Sequence, residues 1–320
     1  MADIRKILNF YCRFTPNYSA IGYHARRWRW RRPKCDFAGQ TWLVTGGSEG
    51  IGAAAARAAA QGGAAVVCVA RDARKLQAFA ESVAGPGRIA CEAADFSLRA
   101  DVWALLARLK AQGRRFDAVV DNVGIQKRDQ ILTGEGLETS FATNILSHYL
   151  LVRELLRGGM LTDRSIVIEV SSGGMYNHPL VVKDLNITGE GYLGVRAYGL
   201  SKRAQVVLTR YWRETWAATG REFYVMQPGW VDTASVGRSM PRFRAILRPV
   251  LRNHRQGADT IVWLASERPA HAKAESIWFD RRERGVHIYA HTPNSPDTVD
   301  DLVALLEQYS QPAAEASAVA

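Results

Sequence analysis

The stretch TWLVTGGSEGIGAAAARAAAQGGAAVVCVA (residues 41–70) places a glycine-rich turn between a short apolar run and an alanine-rich segment. Trp42 to Thr45 is predicted to be a buried strand because it is apolar up to its last residue. Gly50 to Gln61 has the composition of a helix, and the two glycines that follow are typical of a helix C-terminus. Ala64 to Ala70 predicts a second strand. This order is that of a βαβ unit in a parallel sheet.

The same alternation of strands and helices continues to residue 226. Strands that are apolar throughout are buried on both faces, and right-handed crossovers place helices on both sides of the sheet. The sequence therefore predicts an α/β protein with a doubly wound parallel sheet of the Rossmann type and helices on both faces. The further strands are predicted at Arg88–Ala94, Phe116–Val120, Ser165–Val170 and Phe223–Met226, and the further helices at Asp72–Val83, Leu98–Ala111, Glu138–Leu156 and Ala197–Ala217.

The chain is predicted to have one domain, residues 37–296, between two terminal segments. Residues 1–36 form a basic, aromatic arm, and residues 297–320 form a C-terminal helix and a disordered, alanine-rich tail. The net charge is +11, and the residues before Cys35 carry nine basic side chains against the single acid Asp3, a net charge of +8. The basic character therefore belongs to the arm, and we expect no nucleic-acid partner.

Aromatic side chains are interleaved with the arginines of residues 1–34. This mixture suits an anionic membrane surface, so one hypothesis is that the arm makes a peripheral membrane contact. The alternative is that the arm packs back on the domain with its charges in solvent. No run of eighteen apolar residues predicts a membrane span. The cysteines and histidines show no metal-ligand spacing, so we predict no metal site and a reduced, cytoplasmic setting.

The turn TGGSEGIG (residues 45–52) is predicted to bind the pyrophosphate of a dinucleotide. Gly46 permits the tight turn, Gly50 lets the backbone approach the pyrophosphate, and Gly52 lets helix and strand pack closely. The free N–H groups of the following helix then bind the phosphates. A plain flexible turn is the alternative, and the position between a strand and a helix favours the binding loop. The residues assigned to cofactor binding here are Gly46, Ser48, Glu49, Gly50, Ile51 and Gly52.

The end of the second strand indicates which nicotinamide cofactor fits. An acidic residue there binds the ribose 2′-hydroxyl of NAD, but this chain has Ala70 followed by Arg71. Because a guanidinium matches a 2′-phosphate, the sequence favours NADP(H) over NAD(H). Glu49 argues mildly for NAD, and an ordinary solvated arginine is the alternative for Arg71.

Tyr198 and Lys202 lie four residues apart on a predicted helix and so share one face. A nearby ammonium group and an oxidised nicotinamide lower the pKa of a phenol, which suits Tyr198 for acid/base chemistry. Ser171 and Ser172 end the fifth strand at the carboxyl edge of the sheet, where ligands bind in such folds. A hydroxyl there can hold a substrate oxygen near Tyr198. Out of this context, a surface helix pair and a turn-forming serine are the alternatives.

Six features in this order resemble the short-chain dehydrogenase/reductase family. They are TGGSEGIG (45–52), DNVG (121–124), Asn144, SS (171–172), YGLSK (198–202) and PGWVDT (228–233). The resemblance extends from Phe37 to about Asp280. It implies that Ser172 positions the substrate oxygen and that Tyr198 exchanges the proton. It further implies that Lys202 binds the cofactor ribose and tunes Tyr198, and that Asn144 holds a water of the proton relay.

The same resemblance implies further cofactor contacts. It places Asp95 by the adenine and Asn122 near the ribose, with Gly124 in the same loop. The remaining contacts, around the nicotinamide, are implied for Pro228, Gly229, Val231 and Thr233. One departure is Val123, which puts bulk where the family has alanine beside the cofactor.

A second departure is a longer interval between Ser172 and Tyr198. It contains VKDLN (182–186), similar to the insertion of the retinol-dehydrogenase-like branch of the family. Within that branch, segments such as SSGGMY (171–176) and QGADTIVWLA (256–265) are most similar to the dehydrogenase/reductase member twelve group. Residues 235–255 follow the cofactor site where the family carries a substrate lid, and a solvated helix is the alternative there.

The resemblance implies an NAD(P)-dependent oxidoreductase that interconverts a carbonyl and an alcohol by hydride transfer. Its substrate is expected to be a small, lipophilic molecule. The alternative is a non-catalytic NAD(P)-binding sensor or scaffold of the same fold. Because members of the family assemble as dimers or tetramers, a homo-oligomer is also an expectation.

Overall fold

Eight strands form a single sheet in the computed structural model, which describes Cys12 and residues 14–311. Their order across the sheet is β3-β2-β1-β4-β5-β6-β7-β8, and every neighbouring pair is parallel except the antiparallel pair β7 and β8. The strands are β1 (Thr41–Thr45), β2 (Ala65–Ala70), β3 (Arg88–Ala93), β4 (Phe116–Asp121), β5 (Leu161–Val170), β6 (Glu222–Met226), β7 (Ile277–Phe279) and β8 (Arg282–Arg284).

Ten α-helices of six or more residues surround this sheet in the described part of the chain. Those that position the site are α2, which follows the glycine turn, and α6, the longest. The helices are α1 (Ala20–Arg27), α2 (Gly50–Gln61), α3 (Ala73–Glu81), α4 (Arg99–Ala111), α5 (Ser147–Arg157), α6 (Gly194–Thr215), α7 (Ala234–Ser239), α8 (Pro241–Leu247), α9 (His254–Glu267) and α10 (Val299–Tyr309).

The sheet separates two apolar cores. On one face α4, α5, α6 and α10 bury side chains such as Leu105, Leu151 and Leu306. On the other face α2 and α9 meet through small and branched residues, among them Ala56 and Ile261. Because the strand order reverses between β1 and β4, the carboxyl ends of these strands border an open crevice, the place where such folds bind ligands. The doubly wound α/β architecture predicted from the sequence is thus confirmed.

The structure adds elements that the sequence pattern did not predict. Strands β7 and β8 have only three residues each and were not expected. The helix predicted from Glu138 to Leu156 consists of a short turn, a π-helical segment at Ala142–Leu146, and α5. The predicted C-terminal helix is present as α10, whereas the tail that was predicted to be disordered falls at residues 312–320, outside the described residues.

The described part of the arm is held against the domain by a buried guanidinium. Arg252 Nε donates to the carbonyl oxygen of Tyr18 at 2.9 Å, and Arg252 Nη1 donates to that of Pro228 at 3.2 Å. The same group forms two hydrogen bonds of 2.6 and 2.9 Å with Asp280, and both side chains are almost completely buried. Arg26 of α1 adds a 2.7 Å bond to Asp280. The arm, the loop after β6 and the β7–β8 hairpin therefore meet at one ion pair.

Membrane-spanning helices were not predicted from the sequence. Within residues 14–311, none of the helices combines the length and apolar character needed to cross a bilayer.

We expect Asp280→Asn to lower the free energy of unfolding by about 3–5 kcal/mol, because it leaves the buried Arg252 without a counter-charge. Denaturant unfolding at neutral pH measures this loss. Glu214→Gln is the matched control, since Glu214 pairs with Arg210 at 3.7 Å while remaining 60% exposed, and exposed pairs contribute about 1 kcal/mol or less. Equal losses in the two variants would contradict the anchoring role of Asp280.

Candidate active site

The glycine turn has the geometry that a dinucleotide requires. Gly46 has a φ of +65°, and a Cβ added to Gly52 would lie 2.3 Å from the Gly46 carbonyl oxygen, so both positions require glycine. Gly50 has a φ of +66°, and a Cβ there would meet only a Thr233 methyl group at 3.9 Å. Open space therefore lies in front of Gly50. Glu49 precedes α2 without capping it through its side chain, so the first N–H groups of α2 are free to bind a pyrophosphate.

The other side chains assigned to the cofactor lie along the carboxyl edge of the sheet. Asn122 donates from Nδ2 to the Thr45 carbonyl oxygen at 3.0 Å, which fixes the loop after β4 beside the glycine turn. Arg71 is exposed at the end of β2. Asp95 follows β3 and accepts hydrogen bonds from the backbone and hydroxyl of Ser97 at 2.9 and 2.8 Å. These three positions follow the carboxyl ends of β4, β2 and β3, respectively.

Ser48, Glu49 and Ile51 are arranged differently around the turn. Ser48 is partly buried, whereas Glu49 is exposed and lies 3.8 Å from the Lys75 ammonium group. Ile51 points toward α9, because a Cβ added to Gly257 would lie 3.1 Å from Ile51 Cγ1. Ile51 therefore contributes its backbone, rather than its side chain, to the edge of the crevice.

Most of the residues assigned to the cofactor in the segment after β6 make packing contacts or hydrogen bonds within the protein. A Cβ at Gly229 would lie 2.7 Å from Arg252 Nε, so this glycine makes room for the buried guanidinium. Val231 packs against Gly257 of α9. Thr233 caps α7, its hydroxyl accepting a 3.3 Å hydrogen bond from the Val236 N–H. Pro228, which follows β6, has its carbonyl bonded to Arg252.

Ser172 and Tyr198 are brought together at the end of β5. A Cβ added to Gly174 would lie 3.4 Å from the Tyr198 ring and 3.8 Å from Ser172 Oγ, so the two side chains border the same space. Burial raises the pKa of the Tyr198 phenol, and the neighbouring Ser172 hydroxyl opposes that rise. Without a cofactor, the phenol is therefore held in its protonated form.

Lys202 lies one turn further along α6, with its ammonium group 5.7 Å from the centre of the Tyr198 ring. It is almost completely buried and donates a 2.9 Å hydrogen bond to the Val170 carbonyl oxygen. A Cβ at Gly124 would come within 3.3 Å of Lys202 Nζ, so the glycine of the DNVG loop leaves space for the ammonium. Burial lowers the pKa of Lys202 to about 8, against the opposing influence of Glu169 and Asp121.

Asn144 lies in the π-helical segment, and such segments occur frequently at functional sites. Its side chain accepts from the Ile125 N–H at 2.8 Å and donates to the Ile125 carbonyl oxygen at 2.9 Å and to the Ser201 hydroxyl at 3.1 Å. Its backbone carbonyl accepts a 2.7 Å hydrogen bond from Gln205 Nε2. Asn144 thus ties the DNVG loop to α6 next to Lys202.

A second group of ionisable residues, which no sequence pattern predicts, lies behind Lys202. Asp121 and Glu169 are register partners on β4 and β5, and His148 of α5 lies beside both. Their ligand-type atoms lie within 4.8 Å of one another, which a metal ion could bridge. However, His148 Nδ1 and Glu169 Oε1 are only 2.8 Å apart, a hydrogen-bond distance, and the Lys202 ammonium is close. The arrangement favours a shared proton.

A nucleotide crevice beside a Ser–Tyr–Lys set defines the class of protein as an NAD(P)-dependent oxidoreductase. The chain matches the short chain dehydrogenase family over residues 40–242, and it belongs to that family.

Individual relatives agree with this membership. The chain is 37% identical over 278 residues to dehydrogenase/reductase SDR family member 12 of Bos taurus, covering 85% of this chain and 87% of that protein. A crystal structure of an uncharacterized Mycobacterium paratuberculosis protein aligns with a TM-score of 0.66 at 25% identity, covering 86% of this chain and 94% of that one. The angucycline C-6 ketoreductase LanV with bound NADP aligns with a TM-score of 0.60 at 26% identity, covering 72% and 90%. The resemblance to the member twelve group is thus confirmed.

We expect Gly52→Ala to lower the free energy of unfolding by about 1–3 kcal/mol, because its Cβ would press on the backbone of the glycine turn. Affinity for a nicotinamide dinucleotide should also fall at least tenfold, about 1.4 kcal/mol, since α2 must move away from the pyrophosphate position. Denaturant unfolding and cofactor fluorescence titration measure the two effects. Gly134→Ala is the control, because a Cβ there meets only Leu98 at 3.9 Å. Unchanged affinity in Gly52→Ala would contradict the proposed pyrophosphate cradle.

Proposed function

We propose that this protein interconverts a small-molecule carbonyl and the corresponding alcohol, with Tyr198 as the acid/base. The observation that carries the proposal is the placement of Ser172, Tyr198 and Lys202 around one point at the carboxyl end of β5, beside the glycine turn. NAD(P)H bound in the crevice would supply the hydride for reduction.

Each side chain has a role that its surroundings support. The Ser172 hydroxyl holds the substrate oxygen next to the Tyr198 phenol, and the phenol donates its proton to that oxygen as negative charge develops. Lys202 stabilises the phenolate left behind, because its ammonium lies beneath the ring. Asn144 fixes the neighbouring loop against α6, and the water of the proton relay that the family resemblance implies for Asn144 would return a proton to the site. In the oxidative direction the proton moves the opposite way.

The preference for NADP(H) rests on Arg71. Its guanidinium is exposed at the end of β2, on the side of the crevice that receives the adenosine ribose. The bound NADP of LanV, a relative in structure, is in keeping with this preference. Glu49 does not oppose a 2′-phosphate strongly, since Lys75 lies 3.8 Å from its carboxylate.

The substrate is proposed to be lipophilic because aromatic side chains lie next to Ser172. A Cβ added to Gly173 would lie 3.1 Å from the Tyr18 ring. The centre of the Tyr18 ring lies 5.9 Å from that of the Trp230 ring, which in turn lies 5.1 Å from the ring centre of Phe243 on α8. The arm and the region after β6 therefore supply one aromatic surface beside the site.

These contacts of Tyr18 support the alternative in which the arm packs on the domain. A membrane contact by residues 1–34, a homo-oligomer and a cytoplasmic location stay predictions.

We expect Tyr198→Phe to lower kcat/KM about 10²–10⁴-fold on every carbonyl that the wild type reduces, because the proton donor is lost. A panel of ketones and aldehydes assayed with NADPH measures this effect. Tyr211→Phe is the matched control, since Tyr211 lies on the same helix but more than three turns from Tyr198. Equal turnover by the wild type and Tyr198→Phe would end the catalytic assignment. Tight NADPH binding without turnover of any carbonyl would favour a non-catalytic sensor.

Replacement of Arg71 tests the choice of cofactor. We expect Arg71→Ala to weaken NADP binding about tenfold and to leave NAD binding within about twofold, because only NADP has a phosphate at the 2′ position. Parallel titrations of both cofactors measure the ratio. Arg74→Ala, another exposed arginine at the start of α3, serves as the control for general loss of positive charge. Tighter binding of NAD than NADP by the wild type would overturn the preference.

A further inference from the structure

Three ionisable side chains outside the reacting set are buried directly behind Lys202. Asp121 ends β4, Glu169 pairs with it on β5, and His148 of α5 lies between them. The ring of His148 is fully buried, as is Asp121, and Glu169 is nearly so. Buried ionisable groups are unfavourable unless neighbouring groups compensate them, so this arrangement requires a reason.

The hydrogen-bond geometry requires a proton inside this group. His148 Nε2 lies 2.8 Å from the Val123 carbonyl oxygen, which can only accept, so Nε2 carries a hydrogen. His148 Nδ1 lies 2.8 Å from Glu169 Oε1, and two lone pairs at that distance would repel each other. One proton therefore lies between His148 and Glu169, whether the imidazolium donates it or the carboxyl group does.

Only one oxygen of the Asp121 carboxyl group has a hydrogen-bond partner within the described part of the chain. Its Oδ1 accepts a 2.9 Å hydrogen bond from the Thr45 hydroxyl. Its Oδ2 has no hydrogen-bond partner among the described residues, and His148 Nδ1 lies 3.4 Å from it. Gln205 of α6 also faces this group, with Nε2 3.1 Å from His148 Nδ1. The proton held by His148 and Glu169 thus has a second carboxylate within reach.

Lys202 faces the group from α6. Its ammonium interacts electrostatically with both carboxylates and with His148. Four titratable groups therefore face one another here: Asp121 from β4, His148 from α5, Glu169 from β5 and Lys202 from α6. With one proton on the His148–Glu169 pair, the remaining negative charge lies on Asp121 and the positive charge on Lys202. The buried group is then neutral as a whole.

We propose that Asp121, His148 and Glu169 form a proton-sharing cluster that keeps the Lys202 ammonium charged beneath Tyr198. The three are positioning residues, since they act on the reaction through Lys202. The proposal rests on the proposed function of Tyr198 and Lys202, and it adds residues that the YGLSK and DNVG motifs do not assign. A bound metal ion at the same place is the competing occupant, and the cationic Lys202 disfavours it.

The direction of the pH effects follows from burial. Burial raises the pKa of Asp121 to about 7 and that of Glu169 to about 8, so both carboxyl groups hold protons more tightly in the folded protein than in the unfolded chain. Their contribution to stability is therefore lost as pH rises from about 4 toward 7 or 8. An amide in place of Asp121 removes this loss, but it also removes the negative charge beside Lys202. An amide in place of Glu169 removes the negative charge that this side chain acquires only when the shared proton leaves at alkaline pH.

The first experiment measures the pH dependence of kcat/KM for carbonyl reduction in the wild type, Asp121→Asn and Glu169→Gln. We expect the pKa of the alkaline limb to fall by about one unit in both variants, because an ammonium loses its proton more easily without nearby carboxylates. Asp163→Asn, an exposed carboxylate on β5, is the control and should leave the profile unchanged. An unshifted alkaline limb in both cluster variants would overturn the proposal.

The second experiment needs no activity and so separates this proposal from the proposed function. The melting temperature is measured at pH 5 and pH 8 for Asp121→Asn, Lys202→Met and the double variant. At pH 8 we expect Asp121→Asn to raise the melting temperature by several degrees more in the Lys202→Met background than in the wild type, because the buried carboxylate has then lost its counter-charge. At pH 5, where Asp121 is protonated, the two differences should be equal.

Two results of the second experiment would contradict the cluster even if the enzyme proved inactive. One is an Asp121→Asn effect that is the same in both backgrounds at pH 8. The other is a stoichiometric metal ion, detected by elemental analysis of the dialysed wild-type protein and absent from His148→Gln. Coupling at pH 8 in a protein that turns over no carbonyl would retain the cluster and reject the proposed reaction.

Discussion

The arrangement of the site depends on keeping one ammonium group charged inside the protein. Lys202 is almost completely buried, and burial alone favours its neutral form. The Val170 carbonyl and the carboxyl groups of β4 and β5 oppose that effect from one side, and Gly124 leaves the space that the ammonium occupies. The ends of β4 and β5, the loop that contains Gly124 and the middle of α6 must therefore meet within a few ångströms.

This requirement explains which parts of the site could be predicted from sequence. Tyr198 and Lys202 are four residues apart on one helix, and Ser172 lies at a strand end, so local spacing was sufficient to place them on the carboxyl edge. Asp121 and Glu169 lie far apart in sequence and become neighbours only through the register of β4 against β5. His148 shows no metal-ligand spacing in the sequence, and its helical position alone does not identify its two acidic neighbours. Side chains that become neighbours only through the pairing of two strands produce no periodic pattern in the sequence.

The arm illustrates the same limit. Its composition was compatible both with a membrane surface and with packing on the domain. The described part packs because Arg252, more than two hundred residues away in sequence, bonds the Tyr18 carbonyl and pairs with Asp280. Asp280 and Arg281 have φ values of +50° and +57° in the tight β7–β8 turn, an uncommon conformation for residues other than glycine. Ion pairs from Arg252 and Arg26 to Asp280, and from Arg281 to Asp259, hold this turn.

The protonation of Tyr198 connects these features to the direction of the reaction. Burial raises the pKa of the phenol, so the cofactor-free site holds a proton ready for donation. In the proposed reaction, reduction of a carbonyl requires that proton, whereas oxidation of an alcohol requires the phenolate. A charged Lys202 lowers the free energy of the phenolate, which assists proton release during reduction and keeps the phenolate available as the base during oxidation. Burial and the Lys202 ammonium have opposite effects on the pKa of the Tyr198 hydroxyl. In the proposed reaction, a modest change in the charge behind Lys202 would therefore alter the pH range of catalysis.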